Sequence, residues 1–414
     1  MRKIFLFFVI SNLLFARELS FEKAIEIAKE NNRGLKRQEL TVKQKTLEKN
    51  SKSKEMLPTI SIKSSYEKLD NQLEDEKYKN SLVAKQPIFV GGEKYNNFKI
   101  ASYREDLERI NLYKQDNILR IDVLENYIKC LYEKEMLAIN QKSYEDKKEE
   151  LKRQIEFRKQ GLIDKTEVLK LETSLYQTEG KIIETRNNLI NGELSLKTLL
   201  KLDLTEDIKL KDLEISNLAI EKINLEKDIE NALKNGVLSR QYSKNIDIKE
   251  RESKEKFSEF LPKINAEYSY NNINQDSFKE SSSGHQDDWE WRVGVSLEWE
   301  LFNFGSDVDT YKSSKLDIEK IKLQRDEELD NLRKNIVNYY NNILTLKKTL
   351  ETNKKAYETS EETYKIEKEK YENRMIDTID YLKAEENMMI ARADYYKSRL
   401  NYFLAYEKYM MIIK

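Results

Sequence analysis

The chain has 414 residues, 36% of them charged, and its 74 basic groups nearly balance 75 acidic ones. That balance leaves no large single-sign field of the kind that would point to nucleic acid, and a single cysteine excludes an intrachain disulfide. Ten glycines and three prolines are few for this length, which favours long uninterrupted helices in one elongated domain over a loop-rich globule.

Residues 1–16 carry the basic pair Arg2-Lys3, an apolar stretch from Ile4 to Ile10, and Leu13-Leu14-Phe15-Ala16 before the charged Arg17-Glu18. This is the layout of a cleaved secretory signal. The alternative, an uncleaved anchor, needs roughly 20 apolar residues, more than the segment holds. No later segment is apolar for 18 residues, so a membrane-embedded mature chain would have to use β-strands closed into a barrel.

A first repeat is predicted over 17–202. It begins with a helix over about 19–56, followed by strands over about 58–68 and 78–89 in which Ile60, Ile62, Tyr66, Tyr78, Leu82, Ala84 and Ile88 mark the apolar positions. Next come a helix over about 93–160, free of proline and glycine, a break at Gly161, and a helix over about 163–201. At 1.5 Å per residue the longer helix would extend on the order of 100 Å. A less regular connector covers 203–222.

The second repeat, over 223–414, has the same order: a helix over about 223–260, strands over about 262–272 and 289–301, and helices over about 305–372 and 375–412. Its second strand alternates without a miss through Trp289, Trp291, Val293, Val295, Leu297, Trp299 and Leu301, with Glu290, Arg292, Ser296, Glu298 and Glu300 on the other side. A period of two over this length is a strong strand signal. The partner strand sets Ile264, Ala266, Tyr268 and Tyr270 against Lys263, Asn265, Glu267 and Ser269. Alternating strands of about ten residues with aromatics near their ends match transmembrane β-strands, so Trp289, Trp291, Trp299, Tyr268 and Tyr270 are candidate membrane-interface residues facing outer-membrane lipid. Four strands cannot close a barrel, so several chains must pool them. In the following helix Leu329, Leu332, Ile336, Tyr339, Ile343, Leu346 and Leu350 keep the 3,4 spacing of a coiled-coil seam.

The repeats align at two offsets. Phe21 and Leu57-Pro58 match Leu225 and Leu261-Pro262 (225 − 21 = 261 − 57 = 204), whereas Gly92 and Ile163-Asp164 match Gly305 and Ile376-Asp377 (305 − 92 = 376 − 163 = 213). The nine extra residues fall in the polar segment 271–288, a surface loop that holds the only histidine, His285, to which no role is given. Such a duplication is one supersecondary unit used twice.

Several segments closely resemble the TolC-like outer-membrane efflux family over essentially the whole mature chain. They are the opening Leu19 to Ile25, the Leu-Pro before each first strand, Gln86-Pro87-Ile88-Phe89-Val90-Gly91-Gly92, and its copy Trp299-Glu300-Leu301-Phe302-Asn303-Phe304-Gly305. The helix breaks at Phe157 to Leu169 and Tyr371 to Leu382 are similar to the family's two periplasmic hairpin tips. The resemblance implies a mainly α fold with a small membrane β part, built from two tandem repeats of helix, β-hairpin and long helical hairpin. It also implies a homotrimer whose β-barrel continues into an α-helical barrel closed by an iris at the tips.

On that resemblance Asp380 falls on an acid that narrows the pore, Glu167 is its first-repeat counterpart, and Tyr371 falls on a tyrosine that latches against the first-repeat acid. Glu167 with Tyr371 is the expected closed-state contact, and Asp164, Asp377 and Arg374 complete the candidate gate. The sequence departs from the pattern at Arg374, where a turn glycine is usual, at Ile376, where some members carry a latching arginine that adjacent Arg374 would replace, and at Lys383, where an acid is missing. The plainer reading is that these charges merely solvate a helix turn.

No phosphate loop, zinc motif or nucleophile elbow is present, so no catalysis, cofactor or metal is expected. The expected role is a passive conduit of a tripartite efflux or type I secretion system, driven by an inner-membrane transporter through a periplasmic adaptor, as the resemblance implies. The competing reading is an exported coiled-coil scaffold or adhesin without a pore, which accounts for the heptads but leaves the strands unexplained.

Overall fold

The computed structural model describes residues 17–68, 76–213, 215, 223–274 and 289–414. The expected signal segment and residues 275–288 of the polar loop, with His285, lie outside the described residues, whereas 271–274, expected in that loop, end the strand Lys263–Asn274 because the strand Glu76–Val90 lies beside them. The elements in chain order are β1 (Arg17–Leu19), α1 (Phe21–Asn31), α2 (Arg33–Lys54), β2 (Thr59–Lys68), β3 (Glu76–Val90), α3 (Glu93–Lys159), α4 (Lys165–Leu200) and β4 (Ile208–Leu210), followed by α5 (Leu225–Asn235), α6 (Val237–Phe257), β5 (Lys263–Asn274), β6 (Trp289–Glu298), α7 (Ser306–Glu372) and α8 (Thr378–Ile412). Among the described residues no helix is long and apolar enough to cross a membrane. The chain divides into two compact units.

The first unit gathers residues up to Lys36, Lys114–Ala232 and Leu332–Lys414. Within it the coiled-coil seam of α7 buries Leu332, Ile336 and Ile343, and the Tyr357 and Tyr395 rings of α7 and α8 stack 5.9 Å apart. One feature departs from expectation. Residues 17–19 are a strand, paired in parallel with 208–210 inside the supposed irregular connector (Leu19 opposite Leu210). Tyr127, fully buried on α3, sets its hydroxyl 2.8 Å from the Leu19 carbonyl and 2.5 Å from that of Lys211, which pins this small pair to the helices.

The single helices expected over 19–56 and 223–260 are each split, and at equivalent points (236 − 32 = 204). Asn32 leaves the helical region and its side chain accepts the amide of Leu35, which restarts the helix as α2. Gly236 is the cap residue between α5 and α6. Asparagine and glycine are good helix-start residues, so each break has a local cause.

The second unit, Arg37–Tyr113 with Leu233–Asn331, contains the sheet. Its four strands run in the order β2-β3-β5-β6, all antiparallel. The two hairpins share one register: Thr59 lies opposite Lys85 and Lys263 opposite Glu298 (263 − 59 = 204; 298 − 85 = 213). Directly opposed residues lie on one face, so Ile62, Leu82, Tyr270 and Trp291 form one row across the sheet, and Ile60, Ala84, Tyr268 and Val293 form another. These side chains are largely bare: Ile62 is 81% exposed, Trp291 68% and Val295 71%. Lys63, Lys85, Glu267, Ser269 and Arg292 occupy the alternate positions.

Strand β6 ends at Glu298, short of the expected Leu301, so Trp299 is off the strand. Its indole N–H instead donates to the Phe260 carbonyl at 3.1 Å. The first repeat makes the equivalent bond, from the Gln86 side chain to the Met56 carbonyl at 2.9 Å (299 − 86 = 213; 260 − 56 = 204). The side chain of Trp289 lies outside the described ones, although its backbone pairs with Asn272.

At the end of β3, Gly91 has φ +62°, and a Cβ there would lie 2.5 Å from the Ser258 carbonyl oxygen. Gly161 has φ +73° with nothing within 4 Å of an added Cβ. Gly91→Ala should therefore cost about 2–3 kcal/mol, combining left-handed strain with overpacking, whereas Gly161→Ala should cost only about 1 kcal/mol. Equal losses on denaturant unfolding would contradict the tight approach at Ser258.

Candidate functional site

The two breaks between long helices, both in the first unit, are built alike. At the end of α3 the Leu162 amide donates to Phe157 O at 2.9 Å and the Gly161 amide to Arg158 O at 2.9 Å. After α7 the Met375 amide donates to Lys370 O at 2.8 Å and the Arg374 amide to Tyr371 O at 2.9 Å. Each pair of bonds is a Schellman termination, which needs a residue with positive φ. Gly161 supplies it without cost, but Arg374 adopts φ +60° as a non-glycine residue. Its guanidinium lies 4.7 Å from the centre of the Phe157 ring, a cation–π contact that offsets part of that strain. Among the described residues of the chain no carboxylate lies within ion-pair distance of Arg374.

Asp164 and Asp377 are the N-cap residues of α4 and α8. Asp164 accepts the Thr166 amide at 3.4 Å, and Asp377 accepts the Asp380 amide at 2.9 Å. One turn further, Glu167 and Asp380 occupy the first turns, where acids favour the positive end of the helix dipole. Asp380 is exposed. Glu167 reaches across to the second break, where its Oε2 accepts the Thr378 backbone N–H at 3.1 Å while its Oε1 takes Lys170 Nζ at 2.8 Å. The carboxylate therefore satisfies one of the amides that the start of α8 leaves without an intrahelical partner.

Tyr371 is buried, with its ring stacked on Tyr381 at 4.5 Å and 7°. Its hydroxyl lies 3.4 Å from Thr378 Oγ1. Glu167 and Tyr371 are thus brought to the same place, but through Thr378 and not by a bond to one another. Thr378, fully enclosed at 1% exposure, is the residue that sequence reasoning missed, since a threonine beside a cap carries no signal of its own. A cleft of about 410 Å³ opens beside this cluster, lined among others by Glu150, Arg153, Phe157, Glu167, Tyr371 and Arg374. Burial alone would push the Glu167 carboxyl up, but the bonds from Lys170 and Thr378 together hold it below its ordinary value. Burial pushes the Tyr371 hydroxyl up to about 12, so it stays protonated at any physiological pH.

Deeper between α3, α4 and α8 lies a buried polar layer. Glu385, 2% exposed, accepts from Ser143 Oγ at 2.7 Å, and Lys147 Nζ donates to Thr178 Oγ1 at 3.0 Å. Lys147 also sits 3.3 Å from Glu385 Oε2, an ion contact off hydrogen-bond geometry that leaves this oxygen without a hydrogen bond.

The sequence matches the family model described as outer membrane efflux protein over residues 24–200 and 244–408, most of its length. The chain belongs to this family. Solved structures share its fold at low sequence identity: the outer-membrane channel OprN (14% identical, TM-score 0.80, covering 95% of this chain and 89% of that one) and the Campylobacter jejuni CmeC outer membrane channel (15%, 0.78, 95% and 85%). The open state of the Neisseria gonorrhoeae MtrE outer membrane channel is similar to the same degree (15%, 0.77, 95% and 88%). No curated protein sequence matches. The protein is an outer-membrane efflux channel protein with the TolC-like fold, mainly helical with a small β part. Its family is one of channels, not an enzyme class, and the family's channels are trimers that work within efflux systems.

Proposed function

We propose that three copies of this chain pool their strands into one membrane barrel, and that the conduit is closed at the helix breaks by the Glu167, Thr378 and Tyr371 cluster. The observation that carries the assembly is the open four-stranded sheet, whose apolar face is continuous across all four strands and solvent-exposed. Such a face is stable only against lipid, and two bare edge strands require neighbours. The scaffold reading has no use for this face. Helix α4 adds support: Leu169, Tyr176, Ile183 and Ile190 are exposed and spaced seven apart, the repeat that receives another helix.

In this reading an inner-membrane transporter supplies the energy and a periplasmic adaptor docks at the helical breaks, because the channel has no energy source of its own. Exposed Asp380 gives the passage a negative constriction and a preference for cations. The protein should need detergent for extraction, run with a mass of three chains, and give small cation-favouring conductance steps in planar bilayers. Release into water, or no conductance from folded trimer even with Glu167, Tyr371 or Asp380 neutralised, would defeat the conduit.

A further inference from the structure

We infer that adjacent copies are joined through β6 of one and β2 of the next in a fixed register that sets Glu298 opposite Lys63 of the neighbouring copy. This rests on the reading that copies pool their strands. The register comes from the duplication. Within the chain, β3 of the first repeat pairs with β5 of the second, Lys85 lying opposite Glu267. Because the hairpins superpose at offsets of 204 and 213, the junction equivalent to β3 with β5 is β6 with the next copy's β2. Moving each partner by its offset (85 + 213 = 298; 267 − 204 = 63) places Glu298 opposite Lys63. The opposed charges recur with their signs exchanged between the strands.

Two features not used to set this register agree with it. The same shift brings Val295 opposite Tyr66 and Trp299 opposite Ile62, so the apolar face continues across the junction, whereas a slip of one residue would turn every side chain of one strand to the wrong face. Second, the alternation in sequence runs to Leu301, yet β6 stops at Glu298. The equivalent residues of the first repeat, Gln86 to Val90, are strand because β5 lies beside them, with a bulge between Pro87 and Phe89. Residues 299–303 have no such neighbour in one chain, and Leu301 and Phe302 are left 76% and 73% exposed. In the assembly β6 extends through this segment, with the equivalent bulge between Glu300 and Phe302.

A slip of two residues keeps the faces and offers Glu300 to Lys63 instead, so the decisive comparison is between these two acids. Directly opposed strand residues lie within disulfide reach. In a Cys130→Ala background, Lys63→Cys with Glu298→Cys should oxidise to covalent dimers and trimers on non-reducing gels, about ten-fold more than Lys63→Cys with Glu300→Cys or Ser61→Cys with Glu298→Cys. Greater cross-linking through position 300 or 61, or none at all from a detergent-solubilised species with the mass of three chains, would overturn the register while leaving the pooled barrel intact. A monomer in detergent would overturn the pooled barrel, and the register with it.

Discussion

Lys147→Met is expected to destabilise the first unit by about 3–5 kcal/mol at neutral pH, because it leaves Glu385 buried and ionised without its counter-charge. Lys147 also bonds Thr178, so the substitution unties α3 from both α4 and α8. Removing both charges with Lys147→Met and Glu385→Leu should recover most of the loss, since a buried pair replaced by apolar groups of similar size is close to neutral. Denaturant unfolding of the two single variants and the double variant gives the cycle.

The loss should also depend on pH. Burial raises the Glu385 carboxyl, and Lys147 with Ser143 pulls it partly back against Asp146 on the same helix; Tyr364 of α7 and Tyr381 of α8 face it as neutral hydroxyls. Without Lys147 the folded-state value rises further. Between the unfolded value of ~4.3 and that raised value the native state holds a proton that the unfolded chain lacks, so stability falls as pH rises through the window. The deficit of Lys147→Met should therefore shrink on acidification from pH 8 towards pH 5. A deficit constant across that range would show that the folded variant takes up no proton there and that Glu385 stays ionised, against this account.

The second large effect is expected at the helix breaks, if they are the gate. Glu167→Ala removes the acceptor of the Thr378 amide and the partner of Lys170. Hydrogen bonds to a charged group contribute about 1.5–3 kcal/mol, which shifts the open-to-closed ratio roughly 10- to 100-fold, readable as open probability in planar bilayers. Tyr371→Phe should act in the same direction but less, since its hydroxyl makes only one long contact between neutral groups. The Glu167 carboxyl is lowered in this arrangement. Its stabilisation is present above the ordinary value of ~4.3 and is lost as pH falls through the lowered one. Acid should open the native channel and leave Glu167→Ala unaffected. An unchanged open probability in Glu167→Ala would remove this cluster from the gate.

The sequence itself carried the elements whose signal is periodic. Trp291, Val293, Val295 and Leu297 alternate because one face of their strand meets an apolar surroundings and the other water, and that pattern is written residue by residue. The absence of glycine and proline from 93–159 and 306–372 is equally local, whereas the capping by Asp164 and Asp377, read from the sequence only as part of the gate, came from the structure. The duplication was also legible, since both offsets follow from short identical or similar runs. The strands 17–19 and 208–210 were not: three residues hold no period, and each is a strand only because the other, some 190 residues away, is brought beside it under Tyr127.

Sequence alone thus determined the membrane strands, the long helices and the two breaks, because each depends on spacing within a few turns of chain. Tertiary structure decided which groups meet there. Thr378 became the bridge between Glu167 and Tyr371 only when the breaks were packed together, and Glu385 met Lys147 only across two helices 238 positions apart in sequence (385 − 147). The end of β6 was likewise decided by neighbours, for a strand continues only as far as another backbone lies beside it to take its hydrogen bonds.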